Sequence, residues 1–325
     1  MILTVDRALK LIEKEINALD FGKEPKELYD PIYYIMGIGG KRMRPLLAVL
    51  SHALFSDEMD KIMKPAVAIE VFHNYTLVHD DIMDNAPLRR GNATVHEKWS
   101  SNVAILAGDV MQIKATELLM TVDDKILRKV LELFNTTATA ICEGQQYDMD
   151  FEKLATVSVE EYIEMIRKKT AVLLGFSLEL GGLVAGTHEK NLLLLNEFGV
   201  NMGIGFQLMD DLLDVYGDMS KFGKAVGGDI VANKKTYLLI TALQKAKGSE
   251  AKKLKELLES KTIDGLTKVK EVTEIYNKLE IKTYTELKIN EYFDIAFKKL
   301  SKIDVAPFKK ALLKDFTNKL AQRER

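Results

Sequence analysis

The chain is 325 residues long, 47% hydrophobic and 29% charged, with 46 Lys+Arg against 48 Asp+Glu and a formal net charge of −2. That composition excludes a disordered, collagen-like or mucin-like chain, and the balanced charge makes no electrostatic case for nucleic acid. One cysteine, Cys142, excludes a disulfide framework and any cysteine-built zinc or iron–sulfur site.

The opening segment, MILTVDRALKLIEKEI, places Leu9, Ile12 and Ile16 at helical spacing and acquires charge by Asp6 and Arg7, so it lacks the apolar core of a secretory signal. Glycine-rich points follow at 37–45 (GIGGKRMRP), 89–94 (RRGNAT), 108–109 (GD) and 222–229 (FGKAVGGD), and each reads as a turn between helices. Apolar residues recur at spacings of three and four, as at Leu127, Val130, Leu131 and Phe134, while the strict alternation of strands is scarce. The most apolar window, 171–186, holds Glu179 and three glycines and falls short of the roughly 20 residues of a membrane span. The last eighty residues carry Lys and Glu at helical spacing, the pattern of solvated outer helices. No linker or internal repeat divides the chain. The expectation is one all-α domain over 1–325, a single large helical bundle of ten or more helices, in a soluble, cytoplasmic protein without stable membrane insertion. Cys142 is expected to be a small buried residue.

Two segments carry chemistry. Within 71–91 (VFHNYTLVHDDIMDNAPLRRG), Asp80, Asp81 and Asp84 form D-D-x-x-D. At about 100° per residue, Asp80 and Asp84 stand about 40° apart on one helical face, with His73 between them in angle. Leu77, Val78, Ile82 and Met83 surround them, so the carboxylates are expected to line a cleft, where crowding and desolvation demand cations. Mg²⁺ suits them: a hard cation that bridges one or two carboxylates to phosphate oxygens. Arg89 and Arg90 follow, and arginine grips phosphate in a fork. Segment 205–218 (GFQLMDDLLDVYGD) repeats the register with Asp210, Asp211 and Asp214, and Gln207 lies within one turn of Asp211. Lys224, Lys234 and Lys235 come next as candidate phosphate ligands. The two clusters lie 130 residues apart, so opposing helices of one bundle can carry them. A lone acidic triplet is most often a solvated face; two in the same register, each followed by a glycine-and-cation loop, are much rarer by chance.

The ordered pieces GGKRMRP (39–45), D-D-x-x-D with RRG (80–91), GQQYD (144–148), KT (169–170), FQ-x-x-DD-x-x-D (206–214) and GK-x-x-GGDI with KKT (223–236) resemble the trans-prenyl diphosphate synthases, the polyprenyl synthetase family. The resemblance runs from about residue 30 to about residue 240, and no main motif departs from the family pattern. It implies the isoprenoid-synthase type of bundle around a deep central cavity. The implied reaction is Mg²⁺-dependent head-to-tail condensation of isopentenyl diphosphate with an allylic diphosphate. It also implies three Mg²⁺ per active site, with Mn²⁺ able to substitute, and a homodimer.

The resemblance assigns roles residue by residue. Asp80 and Asp84 would ligate Mg²⁺ on the allylic diphosphate with Asp81 in support, and Asp210, with Asp211 and Asp214 near it, would hold a further ion. Arg89, Lys169, Gln207, Lys224 and Lys234 would contact the allylic diphosphate with Thr170 beside them. Gly40, Lys41, Arg44, His73 and Arg90 would form the isopentenyl diphosphate site. Gln145 and Asp148 are expected to orient neighbours, His96 and Trp99 to be structural, and His79 to pack beside the cluster. Chain length in the family is set by bulk upstream of the first motif, here Tyr75, Thr76 and Phe72. An aromatic five residues before Asp80, a small residue at four and no insertion in D-D-x-x-D resemble short-chain enzymes making fifteen- or twenty-carbon products, the archaeal twenty-carbon pattern more closely. The wheel puts Tyr75 about 140° from Asp80, so its part in chain length is inherited rather than geometric. A longer-chain synthase, a terpene cyclase of the same fold and a non-catalytic subunit of a heteromeric synthase are the alternatives. The last two ordinarily lack residues that this chain retains.

Overall fold

The computed structural model describes residues 3–217, 227–260 and 262–322. The described elements are nearly all helices, as the periodicity requires: α1 (Val5–Asn17), α2 (Lys26–Gly37), α3 (Met43–His52), α4 (Asp60–Met83), α5 (Val95–Lys98), α6 (Ser101–Leu119), α7 (Asp124–Lys153), α8 (Val159–Ile166), a π-helical turn (Arg167–Ala171), α9 (Val172–Val184), α10 (Glu189–Tyr216), α11 (Gly228–Val231), α12 (Tyr237–Lys245), α13 (Gly248–Glu259), α14 (Gly265–Lys278), α15 (Ile281–Ser301) and α16 (Pro307–Ala321). Two short strands, β1 (Leu88–Arg89) and β2 (Asn92–Ala93), pair antiparallel with Leu88 opposite Ala93.

Contacts gather these elements into two compact units. The first runs up to Thr137 and adds Phe176–Asn196 and Ile303–Leu313; the second comprises Ala138–Gly175, Glu197–Lys302 and the chain from Lys314 onward.

In the first unit α4 packs chiefly on α6 and α3. Apolar residues are spread around α4, and most of its length is buried, from Ile62 to Asp81. A helix apolar on every side belongs inside. An aromatic chain forms the core beside it: Phe72 meets Phe134 at 4.9 Å between ring centroids, and Phe134 meets Phe176 at 5.9 Å. α1 shows the amphipathic alternative, burying Ala8, Ile12 and Ile16 on one stripe, with the Thr4 hydroxyl accepting the Arg7 N–H at 3.2 Å as N-cap.

In the second unit α12 packs on α15 and on α8, and α14 on α11, α13 and α15. A capping box closes the start of α8: the Ser158 hydroxyl accepts the Glu161 N–H, and the Glu161 carboxylate accepts the Ser158 N–H. By length and composition α10 could cross a bilayer, but 61% of its most apolar window is buried, as in a core helix.

Two expectations need correction, those for Gly108-Asp109 and for Cys142. Gly108 and Asp109 lie inside α6 rather than in a turn. Gly108 is there because a Cβ would overlap the His79 imidazole of α4, so the glycine marks a close helix–helix approach. RRGNAT is a turn between helices as expected, closed by a two-residue hairpin in which Arg90 (φ 52°) and Gly91 (φ 77°) are both left-handed, the backbone that tight hairpins need. Cys142 is exposed, because Ile141 and Gln145 take the buried stripe of α7.

Arg42 is the ionic core of the first unit. It is 4% exposed, donates to Glu70 at 2.8 Å, to Glu13 at 2.9 Å and to the Met36 carbonyl at 3.0 Å, and so ties α1, α2 and α4 to the start of α3. Breaking one side of such a buried pair leaves the other charge stranded. Arg42→Met should therefore cost about 3–5 kcal/mol, read as a fall in the denaturant midpoint; an unchanged midpoint would show that the network contributes nothing.

Candidate active site

The first acidic triplet ends α4. Asp80 is half-buried, Asp81 is 1% exposed and Asp84 is exposed at the helix C-cap. The three carboxylates are not equivalent. Arg89 holds both oxygens of Asp81, with Nε at 2.9 and 2.8 Å and Nη2 at 2.6 Å. A buried carboxylate needs such a partner, so Asp81 is the internally paired member, beside a half-buried Asp80 and an exposed Asp84.

Arg89 can reach Asp81 because the hairpin is fixed. The Ala86 amide donates to the Asp81 carbonyl, the Thr94 hydroxyl to the Ala86 carbonyl at 2.8 Å, and the Tyr34 hydroxyl to the Ala93 carbonyl at 2.7 Å. Lys98 lies over the Tyr34 ring at 3.8 Å.

The same hairpin carries Arg90, whose guanidinium donates to the Gly39 carbonyl and lies against Gly40. Arg44 Nη1 stands 3.0 Å from His73 Nε2. Guanidinium has no acceptor, so Nε2 must accept, and the imidazole is neutral at that nitrogen. Burial first, then Arg44, Arg90, Arg89 and Arg42, push the His73 pKa well below its ordinary value. Of those four cations, Arg42 and Arg89 already have carboxylates. Burial, with Arg89 and Arg42 beside it, lowers the Arg90 pKa against the pull of Glu70 and Asp81, so its charge favours an incoming anion. Gly40, Arg44, His73 and Arg90 are thus brought together, and Lys41 is exposed beside them.

The second triplet lies near the end of α10 in the second unit. Asp210 and Asp214 are half-buried and Asp211 is 6% exposed. Here too the middle carboxylate is internally held, by different donors. The Tyr162 hydroxyl donates to Asp211 Oδ2, and Gln207 Nε2 donates to Oδ1 at 3.1 Å. Thr170 Oγ1 donates in turn to Gln207 Oε1 at 3.3 Å. Asp214 accepts the Asp229 N–H at 3.0 Å and so fixes the start of α11.

Lys169 sits in the π-helical turn and donates to Asp148 Oδ2 at 2.5 Å. The extra residue of a π turn re-aims side chains, and such turns gather at functional sites. Gly144, one turn before Asp148 on α7, permits the approach: a Cβ there would overlap the Lys169 backbone. Burial opposes ionisation of Asp148, but Lys234 and Lys169 bring its pKa below the usual value. Burial, then Asp229, raises Asp211 to about 7, against Tyr162, Lys234 and Gln207. Burial and Asp211 push the Tyr162 phenol well above its ordinary range, so it remains a donor. Lys224 lies outside the described residues.

Among the described residues, no three or more His, Cys, Asp or Glu side chains form a ready metal cage. A carboxylate pair from each cluster, Asp80 with Asp84 and Asp210 with Asp214, has the oxygen chemistry that suits Mg²⁺, which keeps several ligand positions for water and phosphate.

The family model for polyprenyl synthetase matches residues 25–279. The chain belongs to the polyprenyl synthetase family. It is 39% identical over 268 residues to the short chain isoprenyl diphosphate synthase of Methanocaldococcus jannaschii, covering 82% of this chain and 81% of that protein. It is 40% identical over 288 residues to the geranylgeranyl diphosphate synthase of Saccharolobus solfataricus, covering 86% and 85%. A crystal structure of a geranylgeranyl pyrophosphate synthase, 40% identical, superposes with a TM-score of 0.95 over 100% of both chains. The fold is therefore the all-α fold of the prenyl synthases, and the protein is a prenyltransferase.

Sequence reading of this prenyltransferase passed over Arg42, Tyr162 and the contact of Gly144. Arg42 stands among the residues of a motif but serves the core. Tyr162 had no signal, being 49 residues from its partner Asp211. Gly144 had one: a glycine inside a helical pattern marks a close approach.

The raised pKa of Asp211 has a measurable sign. Its folded-state value lies above the roughly 3.9 of an unfolded aspartate, so its contribution to stability is present below about pH 4 and lost as pH rises through about 7. Asp211→Asn removes that loss. In metal-free protein, urea midpoints of the variant should gain on wild type as pH rises from about 4 to about 8; parallel curves would contradict the raised value.

Proposed function

We propose that this prenyltransferase condenses isopentenyl diphosphate head-to-tail with an allylic diphosphate to give a short all-trans prenyl diphosphate, with twenty carbons favoured. The observation that carries this is the juxtaposition on one helix, α4, of an outward carboxylate pair with His73 among arginines. One suits a metal-bound diphosphate and the other a diphosphate held by side chains alone, which is the pairing that two diphosphate substrates require.

In this reading Asp80 and Asp84 hold Mg²⁺ on the allylic diphosphate, and Asp210 and Asp214 hold a further ion. Three ions serve each site, and Mn²⁺ can replace them. Bound Mg²⁺ would draw charge onto the leaving diphosphate and favour ionisation of the allylic C–O bond. Lys169, Gln207, Lys234 and Lys224 contact that diphosphate with Thr170 beside them; Arg89 reaches it from its seat on Asp81. Arg44, Arg90, Lys41 and His73, with the backbone at Gly40, bind isopentenyl diphosphate. A neutral His73 offers its remaining ring N–H without adding charge. The double bond of isopentenyl diphosphate attacks the allylic carbon, a proton is lost, and the released diphosphate accepts it. The residues 1–325 work as one synthase domain.

Two further parts of the reading rest on the first unit. Tyr75 lies between His79 (4.8 Å) and Phe72 (5.4 Å), with Thr76 turned back onto the His73 carbonyl at 2.8 Å. Those residues lie one to two turns, about 6–12 Å, before Asp80, a depth suited to stopping a growing apolar chain. The relatives named geranylgeranyl diphosphate synthase support twenty carbons. On α6, Ile105, Leu106, Ile113 and Met120 are exposed, an apolar face suited to a second copy in a cytoplasmic homodimer.

Purified protein given isopentenyl diphosphate, Mg²⁺ and each allylic primer in turn should turn over, and a chelator should abolish it. Asp80→Ala and Asp210→Ala should each lower the rate by orders of magnitude with the helical circular-dichroism signal retained; wild-type rates in both would refute the metal assignment. Tyr75→Ala should lengthen the product seen by chromatography, and an unaltered product profile would remove Tyr75 from chain-length control.

A further inference from the structure

The two acidic triplets have the same spacing but different internal holders. In the first, an arginine from the following hairpin takes both oxygens of the middle carboxylate. In the second, no cation makes a hydrogen bond with Asp211 among those the structure gives; a phenol and an amide share its two oxygens. The holders are not interchangeable. Arginine supplies a countercharge to the carboxylate it binds, whereas Tyr162 and Gln207 supply none and fix only the direction of Asp211.

Tyr162 is the more constrained of the two. It is 2% exposed on α8, between the capping box at Ser158 and the π-helical turn that carries Lys169. A tyrosine hydroxyl is costly to bury without a partner, and here the partner is Asp211 on α10. The other oxygen of Asp211 connects through Gln207 to Thr170, next to Lys169. One hydrogen-bond chain therefore runs from α8 to the end of α10 and back to the π-helical turn. Asp210 adjoins Asp211 in the segment of α10 that this chain fastens, while Asp214, one turn on, is held by the Asp229 N–H.

We propose that Tyr162 is a positioning residue for the second acidic cluster: by holding Asp211 it fixes the end of α10 that carries Asp210, and so sets the Mg²⁺ affinity of that cluster. The inference rests on the prenyl-transfer reading for what the cluster does, but the hydrogen bond stands independently of it. Tyr162 is not catalytic, since nothing requires it to touch substrate. With the hydroxyl removed, Asp211 is free to rotate outward and compete for the ion, or to leave its neighbours misdirected.

The test uses the full-length protein and Tyr162→Phe, which keeps the ring and deletes the hydroxyl. Calorimetry of inorganic diphosphate binding across a Mg²⁺ series should show the half-saturating Mg²⁺ concentration raised about tenfold, equivalent to about 1.4 kcal/mol. In the synthase assay the Mg²⁺ requirement should rise in parallel, while KM for isopentenyl diphosphate, whose site lies in the first unit, stays within about twofold. A variant that lost only packing would show a lower melting temperature and an unaltered Mg²⁺ midpoint, and that result overturns the proposal. If Tyr162→Phe does not fold, Asp211→Ala carries the test: it leaves the tyrosine ring alone, removes the acceptor of both Tyr162 and Gln207 and should also raise the midpoint, and an unaltered midpoint again overturns the proposal. Absence of turnover in wild type with diphosphate binding and the midpoint shift intact would reject the prenyl-transfer reading and leave the role of Tyr162 standing.

Discussion

Carboxylates crowded on an apolar helix repel one another and lose hydration, and the rest of the molecule is arranged around that constraint. Each triplet answers it by withdrawing its middle member. Asp81 is neutralised by a bidentate arginine; Asp211 is held by a phenol and an amide. The outer members are less deeply buried: Asp84 is exposed, and Asp80, Asp210 and Asp214 are half-buried. The helices that carry the triplets can be largely apolar because only one carboxylate in each has to be buried.

The cationic side obeys the same logic in reverse. Arg42, the most buried of the first unit's clustered arginines, is satisfied internally by Glu70 and Glu13 and belongs to the core. Arg89 is satisfied by Asp81. Arg44 and Arg90 donate to a neutral imidazole and a backbone carbonyl, acceptors that take the hydrogen bonds without carrying a countercharge. In the second unit Lys169 and Lys234 share Asp148, so part of their charge is compensated before any diphosphate arrives.

Glycine inside a helix has one clear use here. At Gly108 and Gly144 it lets one helix lie directly against a residue of another, His79 and Lys169 respectively. Gly108 reads as a turn in the sequence because glycine breaks helices on average. In the folded chain the helix continues, and packing outweighs propensity.

Much was legible in the chain itself. The 3.6-residue period gave the helical class, and two D-D-x-x-D registers with glycine-and-cation loops gave the chemistry and, by resemblance, the family, because spacing along a helix determines which side chains share a face. The role of each carboxylate within a triplet was not legible. Asp80, Asp81 and Asp84 look alike as letters, and so do Asp210, Asp211 and Asp214. Arg89 and Tyr162 select the middle member in each case through contacts 8 and 49 residues away in sequence. Likewise Arg42 and Arg44 stand two residues apart in one motif, yet burial sends one to the core and leaves the other beside His73. Periodicity is local and survives in the sequence; the choice of hydrogen-bond partner and the depth of burial depend on what distant segments bring alongside, and only the tertiary structure decides them.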